Sequence, residues 1–502
     1  MFQDTYAQMR DDLSAPRDRV SERRGRGKAT PQRIRERLVR CIWYEGLFQS
    51  DSLRLDDGRG VRANARGWWN LGPGPDFNRA EIVLDGKTET GDIEIHTYSS
   101  DWYKHNHNQD PAYNNTVLHV IMWNDRDSKS VKRYDGSELP QLTLSRYLTE
   151  PLARLEEIID MTEYPFESEA AAGLCRRKLG EAGRDEDRVG VFLDLAGDWR
   201  MLTKASRFGA MLRVAEPDEV LYRGLMEAMG YPVNKAPFGH LAEMVTARDL
   251  RAACVGDNLS RSFLNAQALL LTRGGLSPTP DEIRDDETRA YAAALASVER
   301  PHRESLARQD WRFGRMRPQN YPFRRAAAVA LLYAATAPRN LFREILRIVT
   351  LTSSPKGAAR LVGNMLLQPN EADARGTARY WFHRNTYTGK RSANPQRLWS
   401  QSLVRNVTVN IIVPVYLAFA RKTDDRELES NLHRLYAFLP KLPPTGITRF
   451  MHCRIFGEEK RRTLVNSARR QQALYQIFRD YCEADDAGCE RCAFLHALET
   501  KE

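Results

Sequence analysis

The apolar positions of this chain change period past Asn124. Ahead of that point, short runs alternate. From about Arg188 to Tyr436 the spacing is three to four residues. The first apolar stripe is nonetheless helical. Ile34, Leu38, Cys41, Ile42 and Phe48 share a helix face, and Thr30 and Pro31 suit the N-cap and the first helical position. Glu45 falls on that apolar face, while Glu36 falls on the other side with Arg40, Trp43 and Leu47. A glutamate on a buried face has a partner or a task; the alternative is that Glu45 reaches water beside Gly46.

The alternating stretch centres on Arg79–Leu84 and Gly91–His96, joined through Asp85-Gly86, a dipeptide suited to a tight hairpin. Period two puts Ile93 and Ile95 on one face of the second strand and Asp92, Glu94 and His96 on the other. Ser99–His107 reads as a loop or short helix, Thr116–Trp123 as a strand and Leu142–Ile159 as helix. Helices are expected at Val189–Leu195, Glu219–Met229, Leu241–Val255, Ser262–Leu271, Thr288–Arg300, Arg324–Ala335 and Leu403–Ala420. The fold class is therefore α+β: an N-terminal α/β core ordered helix, hairpin strands, helix or loop, strand, then a large all-helical region. The expected division is a disordered basic tail over 1–29, the α/β core over 30–165, a helical domain over 166–440 and a C-terminal helical segment over 441–502.

Composition adds to this picture. A chain of 502 residues exceeds one ordinary core, which agrees with more than one domain. No apolar run approaches 18 residues and no basic-then-apolar leader opens the chain, so a cytoplasmic protein without a membrane partner is expected. The net charge of +10 favours polyanionic partners, and the run RDRVSERRGRGK (Arg17–Lys28) concentrates part of it. The seven cysteines are an odd number, which points to thiols or metal ligands ahead of disulfides.

Of ten histidines, four fall between Gly72 and Trp123, at 96, 105, 107 and 119. In the same stretch Asp76 and Glu94 lie on adjoining strands of one hairpin. Two such carboxylates, with the Ile95 carbonyl, suit a magnesium or manganese ion, and His96 shares the face of Glu94 and can orient or deprotonate water. A competing site is histidine-based: His96, His105, His107 and His119 with Asp101 and Asp110 suit zinc or another transition metal. His105 and His107 converge there only through a specific turn. His119, in an apolar strand, is more often a hydrogen-bonded core residue. No G-x-x-x-x-G-K-[ST] loop is present, so ATP use is not indicated.

Two basic clusters mix arginines with aromatics. Arg315, Arg317 and Arg324 lie in WRFGRMRPQNYPFRR, and Arg384, Lys390 and Arg391 lie near Tyr380, Trp381, Tyr387 and Trp399. Either they grip phosphates while aromatics stack on bases, or the arginines pin a helix start through buried hydrogen bonds. Near the C-terminus, Cys482, Cys489 and Cys492 in DYCEADDAGCERC suit zinc or an iron-sulfur cluster, with Cys453, Cys175, His452 or His496 as fourth ligand. The alternative is a redox pair or free thiols.

Pro75-Asp76 followed by Glu94-Ile95-His96, with the strand and helix order from Thr30 to Trp123, resembles the PD-(D/E)XK nuclease superfamily. The resemblance implies a restriction-endonuclease-like core, Asp76 and Glu94 as metal ligands, a helix glutamate (Glu36 or Glu45) beside them, and divalent-metal-dependent hydrolysis of DNA rather than RNA. His96 stands where that superfamily has lysine; Lys104 and His105 are the candidate substitutes. Two alternatives follow: a non-catalytic nucleic-acid-binding or scaffolding protein on a degenerate core, and a hydrolase with a histidine-bound transition metal. Some nucleases of that superfamily hold an iron-sulfur cluster with one distant and three C-terminal cysteines, which by analogy makes Cys175 the distant ligand. Across the chain, GPDF, GDIEIH, SSDWYKHNH, YNNTVLHV, RMRPQNYP and CERC together resemble a bacterial family of unknown function.

Overall fold

A computed structural model describes residues 34–166, 175–176, 186–254, 258–298, 304–314, 316–337, 339–367, 375–457, 464–482, 492 and 494. The basic tail and the proposed cap at Thr30 and Pro31 lie outside the described residues. The fold is α+β, and contacts divide it into two units. One takes in the described residues up to Arg176, with 445–457 and those from 478 onward. The other takes in those from 186 to 444, with 464–477. The segment 441–502 is thus divided between the two.

The first unit is built on a seven-stranded mixed sheet. Helix α1 (Glu36–Glu45) precedes it and ends at Gly46, whose φ of 72° is the left-handed conformation that glycine adopts freely. The Gly46 N–H donates to Trp43 O (3.1 Å) and the Leu47 N–H to Ile42 O (3.1 Å), so the last carbonyls of the helix are satisfied. The strands are β1 (Val61–Ala65), β2 (Trp68–Trp69), β3 (Phe77–Leu84), β4 (Lys87–Tyr98), β5 (Thr116–Trp123), β6 (Ser130–Lys132) and β7 (Glu138–Thr143), ordered β1-β3-β4-β5-β7-β6 with β2 paired to β3. β1, β3 and β4 form an antiparallel meander; β5 is parallel to β4, and β7 to β5. Asp85 (φ 47°) and Gly86 (φ 80°) form the expected tight turn between β3 and β4.

The alternation of β4 is observed. Ile93 and Ile95 join Leu38, Ile42, Val120 and Leu142 in the core on the α1 side of the sheet. Each such fully buried side chain contributes roughly 1.5–3 kcal/mol. The crossover from β4 to β5 carries a one-turn helix, α2 (Asp101–Lys104), and lays Trp102 and Tyr113 over Val131 and Leu139. The expected helix over 142–159 is found only at α3 (Leu152–Ile158); its start is instead the end of β7, whose Gln141, Leu142 and Thr143 pair with β5. A run short enough to be either strand or helix was settled here by its neighbour in the sheet.

At Gly91 the β4–β5 contact leaves no room for a side chain. An added Cβ would sit 2.4 Å from Val117 Cγ1 and 2.5 Å from Asn115 O. Gly91→Ala is therefore expected to destabilise this unit by about 1–3 kcal/mol, read as a lower thermal unfolding midpoint.

The second unit is helical. Its longest helices are Glu186–Leu212 and Pro217–Met244, and the latter runs through Pro232. The helix expected over Leu241–Val255 is interrupted at Thr246, which caps a new helix, Ala247–Ala253, by accepting from the Asp249 N–H. Among the described residues only Gln401–Lys422 is long and apolar enough to cross a membrane, and most of it is buried as a core helix. A π-turn at Thr408–Ile412 interrupts it just before Pro414. Widening there accommodates the missing proline N–H and the ring's clash with the preceding turn.

Candidate metal centre

The register of β3 on β4 slips between Phe77 and Ala80. There Arg79 adopts a φ of 56° and donates its N–H to Asp92 Oδ1 at 3.0 Å. Asp92 Oδ2 accepts from Asn115 Nδ2 at 3.0 Å. The first ionisable group on this face of β4 thus holds the bulge and the approach to β5. The bulge brings Asp76 against Glu94. The Asp76 N–H donates to Glu94 Oε2 (3.0 Å) and the Ile95 N–H donates to Asp76 Oδ2 (3.1 Å). From α1, Arg40 Nη1 lies 2.9 Å from Asp76 Oδ1, and its Nη2 bonds Glu36. Of the two helix glutamates, Glu36 is the one brought here; Glu45, nine residues on, lies about half a turn round the helix.

The second Glu94 oxygen faces imidazoles. Oε1 lies 3.1 Å from His107 Nε2 and 3.6 Å from His96 Nε2, and His96 Nε2 lies 3.0 Å from His105 Nδ1. His96, His105 and His107 each present a ring nitrogen within 4.8 Å of the other two. The turn that allows this is at Asn106, whose φ of 61° is left-handed and stands between the end of α2 and a 3-10 turn opening at His107. An aspartate or asparagine tolerates that conformation better than most side chains. Trp102 and Tyr113 pack against the His107 ring, with the Tyr113 ring centroid 3.9 Å away. His96 is fully buried, and His105 is exposed and forms the solvent side.

A line of hydrogen bonds across three strands sets the tautomer of His96. Gln141 Nε2 donates to Ser128 O (2.8 Å), and a carbonyl only accepts. Gln141 Oε1 therefore accepts, from Ser99 Oγ (2.7 Å) and from His119 Nδ1 (3.1 Å). With its proton on Nδ1, neutral His119 accepts through Nε2 from His96 Nδ1 (2.8 Å). The lone pair of His96 Nε2 is left pointing at His105 and Glu94.

Burial dominates the electrostatics. It raises Glu94 to about 8, against Arg40 and the Asp76 N–H. Burial, with Glu94 close by, raises Asp76 well above the carboxylate range. Burial also lowers His107 to about 4 and His119 to about 3, and lowers His96 well below its ordinary value with its neighbouring rings adding to the effect. Arg40 is the cation acting on Asp76, Glu94, His96 and His107 alike; burial opposes its charge, but Asp76, Glu36 and Glu94 hold it above its ordinary value.

These shifts predict how the metal-free protein responds to pH. Folded Glu94 keeps its proton to about pH 8, whereas the unfolded chain releases it near 4.5, so stability falls as pH rises between those values. His107 and His119 act in the opposite sense: they stay neutral in the fold but charge below 6.5 when unfolded, so stability falls with acid. Between pH 6.5 and 8 only the carboxyl effect remains. The midpoint of thermal unfolding is expected to drop across that interval, and Glu94→Gln to lessen the drop while Asp76 retains its part of it.

The donor set could hold a metal ion. Ligands at ~2.0–2.1 Å around a tetrahedral ion lie about 3.3 Å from one another; three of the donor pairs, at 3.0, 3.1 and 3.6 Å, bracket that value, and the three ring nitrogens all lie within 4.8 Å of one another. Imidazoles buried in their neutral form are ready to bind without first losing a proton.

Residues 36–442 match the family described as a protein of unknown function, DUF2851. The chain belongs to the DUF2851 family. No curated protein and no solved structure matches it.

In this DUF2851 chain the other expected site residues are placed as follows. Lys104 is exposed, pairs with Asp101 (2.7 Å) and is not brought to Glu94. Asp101 also accepts from the Tyr98 N–H, and Asp110 from the Ala112 N–H, so neither aspartate joins the histidines. Arg324 is buried; it bonds Trp381 O and donates to Arg384 O (3.0 Å), Gln396 O (3.3 Å) and Arg397 O (3.1 Å). Arg384 is also buried, against Asp285 and Glu287 at 2.8 Å each. These two arginines pin the local fold, and Trp381, Tyr380, Tyr387 and Trp399 are buried rather than open to bases. Arg317, Lys390 and Arg391 are exposed, and Arg315 lies outside the described residues.

Cys175 and Cys492 are buried and Cys453 and Cys482 half-buried, none in a disulfide. All four fall in the sheet unit; Cys489 lies outside the described residues. Sequence reading missed Arg40 and Gln141 as members of the site. Arg40 was signalled only by standing four residues after Glu36 on one helix face. Gln141 carried no signal, because its strand read as the approach to a helix.

Proposed function

We propose that the sheet unit of this DUF2851 protein hydrolyses phosphodiester bonds, with DNA as substrate, using a divalent metal held against Glu94. The observation that carries the reading is the convergence of Glu94 Oε1 on His107 and His96 within the hairpin that also presents Asp76. The antiparallel meander followed by a parallel fourth strand is the order expected of a PD-(D/E)XK core, with Asp76 ahead of its middle strand and Glu94 and His96 on its third.

Glu94, His96, His105 and His107 would hold the metal, which would supply water activation and polarisation of a phosphoryl oxygen. His96 then serves as a ligand rather than as the base, which gives the departure from lysine a chemical reason. Arg40 supplies the nearby positive charge that offsets charge developing at the phosphate. Asp76 orients Arg40 and, through the Ile95 N–H, keeps β4 in register. Exposed Arg317, Lys390 and Arg391 are read as part of the DNA grip, and the cysteines as a separate structural zinc or iron-sulfur centre. The protein is expected to cut single- or double-stranded DNA with manganese, zinc or magnesium and to stop when a chelator is added. Salt-sensitive DNA binding with no cleavage under any of these ions contradicts the reading and leaves a binding or scaffolding protein.

A further inference from the structure

Nitrogen, not oxygen, dominates the donors around the free edge of Glu94. We infer that Glu94 Oε1, His96 Nε2, His105 Nδ1 and the His107 ring nitrogen form one centre for a divalent transition ion, and that His119 and Gln141 are positioning residues that pre-set His96 for it. The inference rests on the metal reading above and adds the class of metal and two residues outside the ligand set.

Four observations carry it. The three ring nitrogens lie within 4.8 Å of one another, and Glu94 Oε1 closes the group at 3.1 and 3.6 Å from two of the rings. Three imidazoles and one carboxylate favour zinc, cobalt, manganese or iron over magnesium, which prefers oxygen and retains water. The chain Ser128 O, Gln141, His119, His96 has one consistent direction, set by a carbonyl that cannot donate. It leaves His96 Nε2 bare and turned into the centre, as a hydrogen-bonded metal histidine is held. Finally, His119 and Gln141 are completely buried, so no solvent competes for these bonds.

The relay separates this arrangement from a chance cluster. His119 is the acceptor for His96 Nδ1, and Gln141 keeps His119 in the tautomer that can accept. Losing either lets His96 place its proton on Nε2, where it blocks the ion. The consequence is weaker metal binding without loss of any ligand.

The test uses the full chain stripped of metal and titrated with cobalt(II), followed by visible absorption and by competition with a chelating indicator. Apart from any cobalt the cysteines take up with a thiolate charge-transfer band, one cobalt per chain is expected with the intense absorption of a four-coordinate site and no such band, and this signal is lost in His107→Ala. His119→Phe and Gln141→Leu are each expected to weaken cobalt binding by about 10–100-fold while circular dichroism stays that of wild type. If one of these variants fails to fold, the other decides. No cobalt bound, a spectrum unchanged by His107→Ala, or wild-type affinity in a folded relay variant overturns the inference, as does displacement of cobalt by an equal concentration of magnesium. Cobalt binding without DNA cleavage leaves this inference standing and removes the nuclease reading; magnesium-supported cleavage by a protein that binds no cobalt does the reverse.

Discussion

Glu94→Ala is expected to reduce DNA cleavage by on the order of 10³-fold, the scale of deleting one preorganised contact to the reacting charge, or about 4 kcal/mol of barrier. One Glu94 oxygen accepts from the Asp76 backbone at 3.0 Å, and the other faces His107 and His96. Alanine removes the single carboxyl donor of the cluster and releases the bulged start of β3. Glu94→Gln separates these effects: the amide retains an oxygen for the Asp76 N–H but is a far poorer metal ligand. Both variants are expected to lose turnover, and Glu94→Gln to keep a thermal midpoint no lower than that of wild type. Single-turnover cleavage with saturating manganese, alongside thermal unfolding, checks both statements. Glu94→Gln at wild-type rate contradicts the role.

The largest expected effect on stability lies in the helical unit. Arg324 is buried and its guanidinium bonds four backbone carbonyls, at Trp381, Arg384, Gln396 and Arg397. Burial lowers its pKa to about 10, which still leaves it charged at neutral pH. Arg324→Ala strands those carbonyls without donors and is expected to cost on the order of 3–5 kcal/mol, a drop of roughly 10 °C in the midpoint. Arg324→Lys is expected to recover little, because an ammonium group cannot reproduce a planar fork of donors. If DNA binding were the role of Arg324, the alanine variant would keep its stability and lose salt-sensitive binding instead.

Those two residues illustrate what was legible in the sequence. The hairpin around Asp85-Gly86 and the strand Thr116–Trp123 were written in local turn chemistry and period, and both appear where expected. So does the shared face of Glu94 and His96, since period two is a property of one strand. What local pattern cannot carry is the far side of a long-range contact. Arg324 reads from sequence as one more basic residue among aromatics, because its partners lie 57 to 73 positions away. Gln141 was hidden because β7 is a strand only through its pairing with β5. The convergence of His105 and His107 depends on one left-handed residue, Asn106. The sequence reading required some such turn without being able to locate it.

The central claim is that one metal ion at the Glu94 histidine cluster drives phosphodiester hydrolysis. The most direct measurement is a titration of metal-free full-length protein with manganese or zinc, following bound metal and DNA cleavage in the same samples. Cleavage should rise in step with metal, level off as the site over Glu94, His96, His105 and His107 fills, and vanish in His107→Ala while the fold is kept. Cleavage that persists in chelated protein, or none as the site fills, would contradict it.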